Sequence, residues 1–444
     1  MTKKLGTLEC VMILVGGMVG SAIFSLSGLT YAMAGAATIL TWIIGGGILL
    51  LYGVQTAELC TIYPESGGMF VFPYEALGKK RASKEAWGWL AAWSLLNVNI
   101  FGAGFSAIYV STYLSQSFPA LANYQILLAV VWSVACTLLC LFNITVAGRV
   151  NLVLTLALIA LMLFYTIVSF TSGAFDPSNF TPFFGRGSLG NSGFISAIPV
   201  AMLAYGAIIS VAFMMNQVND PKKTVPKSMI IAMVITLICY VLVIVATIGL
   251  LAVEAFNAQE TVWIQYVPLY AVAWFVLTNL PWLHYVISIA ATLALTTTLL
   301  VLLMTAGWTV QATAAKGLLP KGLAKVSEKT GTPVAAMALV GIATTIVSCF
   351  PNFTSQIVNC GAITCAIAVV IISITLLAAR KKHEYVQGDF RVGGGAAIPV
   401  LTILLTLFFI IPGVFQAWSY WALAGAWYAV GLVIFLLCQI GAKN

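Results

Sequence analysis

Long apolar runs dominate the chain, and strict apolar–polar alternation is scarce. A helix needs about 20 apolar residues to cross a bilayer, and the pattern predicts twelve such spans. They cover residues 8–33, 36–62, 86–115, 124–145, 150–172, 193–218, 227–253, 282–314, 333–350, 355–379, 397–415 and 419–440. The stretch from Thr261 to Leu280 is apolar enough to pass as a further span. Counting it would reverse the side of every loop that follows.

The basic residues decide that question. Of the 20 lysines and arginines, all but Arg186 fall at the termini or in the loops after spans 2, 4, 6, 8 and 10. The groups are Lys3 and Lys4; Lys79, Lys80, Arg81 and Lys84; Arg149; Lys222, Lys223 and Lys227; Lys316, Lys321, Lys325 and Lys329; Arg380, Lys381, Lys382 and Arg391; and Lys443. By the positive-inside rule that side is cytoplasmic, with both termini. Thr261–Leu280 is then an external element over the bundle, made of short helices broken by Pro268 and Pro281.

Composition agrees with this map. The 444 residues are 61% hydrophobic and 7% charged, against about 25% charged in soluble domains. The expected fold class is an all-α integral membrane protein; a β-barrel would show short alternating segments. The net charge of +8 sits in membrane-flanking loops, so nucleic acid is not an expected partner. Lys3 and Lys4 precede a full-length span, so no secretory signal peptide is expected. The nine cysteines read as small buried hydrophobes without metal-ligand spacing.

The first span carries an anomaly at its centre, Gly16-Gly17-Met18-Val19-Gly20-Ser21-Ala22-Ile23-Phe24. Each helical glycine costs about 1 kcal/mol relative to alanine. Two readings stand: a broken helix lining a binding site, or a small-residue packing seam. The sixth span is also interrupted, at Ala204-Tyr205-Gly206-Ala207-Ile208-Ile209-Ser210. Breaks in spans 1 and 6 suit an inverted five-plus-five repeat, with spans 1 and 6 discontinuous. One transmembrane domain is expected over 1–444, divided into repeats 8–172 and 193–379 and two extra helices in 397–440.

An unwound backbone at mid-membrane offers N–H groups to an anion and carbonyls to a cation, which suits a zwitterionic amino acid. The carboxylate is expected at the amides of Gly20, Ser21 and Ala22 with the Ser21 hydroxyl. The amino group is expected at carbonyls near Met18, Leu203 and Gly206, with Gly17, Tyr205, Ala207 and Asn97 nearby. Asn99, Asn359 and Thr364 are further polar candidates. Thr292 and Thr296, on one helix face, could hold sodium against span 1 carbonyls or simply bond between helices. None of the twelve acids falls at mid-membrane, which favours a neutral substrate. Glu58 could carry a proton or pair with loop lysines. His284 and His383 read as solvated.

Several stretches together resemble the amino acid–polyamine–organocation (APC) superfamily. The glycine segment of span 1 is similar to its G-x-x-x-G-S/T-G-I-F signature. Ala57-Glu58-Leu59 with Tyr63-Pro64-Glu65-Ser66-Gly67-Gly68, Asn219-Asp220-Pro221-Lys222-Lys223-Thr224-Val225-Pro226-Lys227, and Lys316-Gly317-Leu318-Leu319-Pro320 with Gly331-Thr332-Pro333 follow in family order. The resemblance implies the leucine-transporter-like fold and alternating access, with spans 1 and 6 enclosing the substrate. It implies carboxylate binding at Gly20, Ser21 and Ala22, and amino-group binding around Met18, Leu203 and Gly206. There are departures. Ala22 replaces a glycine, Leu203 aligns with an aromatic gate, Ile209 stands at an acidic position, and Trp308 replaces an arginine. No lysine falls around Ala157-Leu158. These departures weaken readings for cationic substrates and lysine-based proton coupling.

The expectation is thus a secondary amino-acid transporter, exchanger or symporter, for a neutral or small substrate in the cytoplasmic membrane. The alternatives are an amino acid/amine antiporter and a transporter-fold receptor without flux; no constellation suggests an enzyme. No cofactor is expected, and sodium or proton coupling stays open. The expected partners are the substrate and membrane lipid, with room for a homodimer.

Overall fold

The computed structural model describes residues 4–142, 144–383, 385, 389–414 and 418–441. Lys3, Glu384 and Lys443 lie outside them. The helices in chain order are α1 (Thr7–Ala34), α2 (Thr38–Ile62), α3 (Gly68–Ala76), α4 (Arg81–Ser117), α5 (Gln125–Phe142), α6 (Ile144–Thr171), α7 (Gly193–Leu203), α8 (Pro221–Leu250), α9 (Val253–Asn257), α10 (Pro268–Phe275), α11 (Leu283–Ala315), α12 (Val334–Ser348), α13 (Thr354–Ala379), α14 (Ala397–Val414) and α15 (Trp418–Gly441). Among the described residues the regular elements are all helices, apart from one isolated parallel bridge between Leu5 and Val218. In hydrocarbon a helix satisfies its own backbone, which is why the apolar runs fold this way.

Among the described residues, nine segments are long and apolar enough to cross a membrane. The first, Thr7–Ile62, holds both α1 and α2, joined by a single 3-10 turn at Gly35–Ala37. Two shorter apolar helices, Val334–Ser348 and Ala397–Ile411, stand where spans 9 and 11 were expected. The chain is a multi-pass membrane protein. The α1–α2 segment and Gly190–Gln217 are almost wholly buried, whereas α5, α6 and α15 turn many apolar side chains outward, as lipid-facing helices do.

The segment after α8 covers one end of the bundle. Gln259–Tyr266 is a 3-10 stretch and α10 begins at Pro268. Asn257 donates to the Ala32 carbonyl at 3.1 Å, and Tyr270 to that of Gln116 at 3.0 Å. Arg186 lies at this end. It forms a paired ion bridge to Glu254, 2.7 and 3.0 Å, and also donates to the carbonyls of Ser178, Asn179 and Thr181. The one basic residue that breaks the charge pattern therefore braces the loops around it.

Three expectations change here. Glu58 is buried and pairs with an arginine instead of loop lysines. Arg380 donates to it twice at 2.6 Å, Tyr385 at 2.5 Å and the Val392 amide at 2.8 Å. All of this capacity is spent tying α2 to the segment after α13. Burial, reinforced by Glu58, pushes the Tyr385 phenol up to about 12, so it stays a donor. His284 is buried against the rings of Tyr270, Trp274 and Tyr285 because α10 folds over it. His383 is half-buried, 3.2 Å from Asp389.

Candidate substrate site

The α1 glycines face three neighbours. A Cβ on Gly16 would overlap the Thr155 hydroxyl of α6. One on Gly17 would come 2.9 Å from Ala207 and Val301, and one on Gly20 would overlap the Thr298 hydroxyl and the Ala294 carbonyl of α11. They form a close-packed seam. The expected break in span 1 is absent: α1 is helical from Thr7 to Ala34, so Gly20, Ser21 and Ala22 do not form a free N-terminal turn.

One α11 hydroxyl bonds to the backbone of α1. The Thr298 hydroxyl accepts from the Ser21 amide at 3.0 Å and donates toward the Gly17 carbonyl at 3.1 Å. The same hydroxyl also lies 3.3 Å from the Gly16 carbonyl. Thr297 donates to the Gly16 carbonyl at 3.0 Å.

Span 6 is interrupted as the sequence suggests. Pro199 sits inside α7, which ends at Leu203. Ala204 and Tyr205 donate back to Ala201 and Met202, each at 3.1 Å, and the chain continues as a 3-10 stretch over Gly206–Gln217. Tyr240 of α8 bridges the two spans, its hydroxyl reaching the carbonyls of both Met18 and Ala204.

Beside this point lies a cavity of about 70 Å³. From the residues singled out in the sequence, Gly17, Met18, Ser21, Ala22, Leu203, Gly206 and Ala207 line it; α4, α11 and α13 complete the wall. None of its lining residues carries a charge. Ser21 is half-buried, and its hydroxyl makes no hydrogen bond to the described residues. A larger space of about 630 Å³ lies at the basic end, between Lys4, Glu65, Asn216, Gln311 and Lys316. On α11, Leu302 lines the first space and Trp308 the second, about 9 Å apart at helical rise. The α11 residues between them are buried.

The other candidates face elsewhere. Gly20 packs on α11. Tyr205 is fully buried and donates to the Trp42 carbonyl at 3.1 Å. Asn97 is buried one residue before the lining Val98 and accepts from Thr364 at 2.8 Å, clamping α4 to α13. Asn359 is exposed. Thr292 and Thr296 bond back along their own helix at 2.9 and 2.6 Å, and Thr296 also accepts from Trp132. The hydroxyls that reach span 1 belong to Thr297 and Thr298, the two residues that follow Thr296. The Thr296-Thr297-Thr298 run was the available signal for them. Tyr240 and Gly361 had none.

The family model described as "Amino acid permease" matches residues 5–437. The chain belongs to the amino acid permease family. This permease is 26% identical to a branched-chain amino acid permease, BcaP, of Bacillus subtilis, over 98% of this chain and 92% of the relative. It is equally 26% identical to a methylthioribose transporter of the same organism, over 98% and 93%. It is 25% identical to a chloroplastic cationic amino acid transporter of Arabidopsis thaliana, over 79% and 61%. Membership makes amino-acid transport its activity.

Proposed function

We propose that the permease is a secondary transporter moving a neutral amino acid across the cytoplasmic membrane by alternating access. In this reading both termini are cytoplasmic and there are twelve spans. Spans 1–5 and 6–10 form an inverted repeat, and two more spans follow. The observation that carries it is the charge-free cavity at the span 6 break, with the Ser21 hydroxyl uncommitted. Ser21 would donate to the carboxylate, and backbone carbonyls near Leu203 and Gly206 would take the ammonium. A cationic side chain would find no counter-charge, a costly arrangement away from water. The branched-chain relative supports a neutral substrate.

We further propose exchange or facilitated uptake, without a cofactor, because no acidic residue falls at mid-membrane to carry a proton. The Gly16 and Gly17 carbonyls with the Thr297 and Thr298 hydroxyls are the oxygens at which sodium dependence would be read.

Thermal stabilisation of the purified permease by amino acids tests the reading, with and without sodium. A ligand at 100 times its Kd adds about 2.7 kcal/mol. Selective shifts by neutral amino acids, equal without sodium, are the expected result. Shifts confined to amines, cationic amino acids or methylthioribose would refute it, as would binding without flux in proteoliposomes.

A further inference from the structure

Neutral amino acids include pairs of nearly equal size that differ in polarity, valine against threonine and leucine against asparagine. The cavity wall offers the two members of a pair different surroundings. Among the residues that line it, only Ser21 and Thr298 carry a hydroxyl, amide or charge. Thr298 is engaged, accepting from the Ser21 amide at 3.0 Å and donating to the Gly17 carbonyl at 3.1 Å. Ser21 is the donor assigned above to the substrate carboxylate. Polar side chains next to the wall are bonded elsewhere. Asn97 accepts from Thr364, Tyr205 donates to the Trp42 carbonyl, and Tyr240 reaches the carbonyls of Met18 and Ala204. The other side chains of the wall are apolar. Phe101 and Phe105, four apart, share one face of α4, and Leu26, Leu302, Ile357 and Val358 join them from α1, α11 and α13.

We infer that this wall selects neutral amino acids with hydrocarbon side chains and rejects serine, threonine, asparagine and glutamine. The inference rests on the proposed transport of a neutral amino acid through this cavity. A side-chain hydroxyl or amide that enters gives up its bonds to water and finds no uncommitted side-chain partner on the wall, which penalises its binding. A hydrocarbon side chain of the same size has no such bonds to lose and gains by leaving water. A hydrophobic pocket disfavours the isostere that adds a hydroxyl by about 100-fold. Val98 of α4 also lines the cavity and faces Gly206. Threonine has the shape of valine, so a threonine at position 98 or 358 would put the missing polar partner in the wall at unchanged volume.

The test is uptake of labelled alanine into proteoliposomes, with valine, threonine, leucine and asparagine as competitors, for the wild type, Val98→Thr and Val358→Thr. In the wild type, threonine should need about 100 times the half-inhibiting concentration of valine, and asparagine at least as large a multiple of that of leucine. At least one of the two variants, each close in shape to the wild type, should lower the threonine-to-valine ratio about tenfold or more. A wild-type ratio below about tenfold for either pair, or an unchanged ratio in both folded variants, would overturn the polarity filter and leave amino-acid transport standing. A wild type with no amino-acid uptake or competition would instead overturn the transport reading and the filter with it.

Discussion

Replacing Gly20 by alanine should force apart two helices that now touch. The added carbon would stand 2.9 Å from Cβ of Thr298 and would overlap both its hydroxyl and the Ala294 carbonyl. Non-bonded carbons rest at about 3.5–4.0 Å, so α1 and α11 must separate by about 0.6–1 Å. The Ala294 oxygen is backbone and cannot rotate away. Overpacking of this kind costs about 1–3 kcal/mol. Thr298 would also be pushed from the Ser21 amide and the Gly17 carbonyl that it now contacts. Ser21 then shifts, and uptake should be lost. Gly206→Ala is the matched control. Its added carbon would meet only Val98, at 4.0 Å, so stability should change by no more than about 0.5 kcal/mol although the cavity is partly filled. Melting of both purified variants, alongside proteoliposome uptake, reads the difference. Equal melting temperatures for Gly20→Ala and wild type, or a lower one for Gly206→Ala, would refute the packing argument.

Other outcomes follow from the charged clusters. Arg380→Met leaves the buried Glu58 without its cation, and losing one partner of such a pair costs about 3–5 kcal/mol; a melting temperature at the wild-type value would contradict the anchoring role. Hydrogen bonding from Arg186 holds the Glu254 carboxyl below its usual range. A lowered carboxyl pKa stabilises the folded state above the unfolded value of about 4.3, and the gain disappears as pH falls through the folded value. Melting should therefore fall with pH below about 4.3 in the wild type, and less steeply in Arg186→Gln, where a parallel fall would argue against the bridge.

Much of the architecture could be read from the chain because hydrocarbon leaves the backbone few choices. The apolar runs became helices, and the charge pattern separated Thr261–Leu280 from the spans, where the structure places a short 3-10 stretch and α10. The span 6 break was visible at Ala204–Ser210, around Gly206. The span 1 break was not there, because its glycines serve contact with α6, α11 and Ala207, and a glycine does not declare which use it has. The site was legible only in part. Ser21, Leu203 and Gly206 reach the cavity, whereas Tyr205 and Asn97 turn into helix contacts, since a position one residue from a lining residue points about 100° away. The oxygens against α1 came from Thr297 and Thr298 instead of Thr292 and Thr296, a difference of helical phase that no single sequence reveals. Partners such as Arg380 for Glu58, far apart in the chain, could not be read locally.

The central claim is that a neutral amino acid crosses through the cavity at Ser21. Uptake of labelled alanine into proteoliposomes, by the wild type and by Ser21→Leu of equal melting temperature, tests it most directly. The account predicts sodium-independent uptake by the wild type and none by the variant. Undiminished uptake by Ser21→Leu would contradict it.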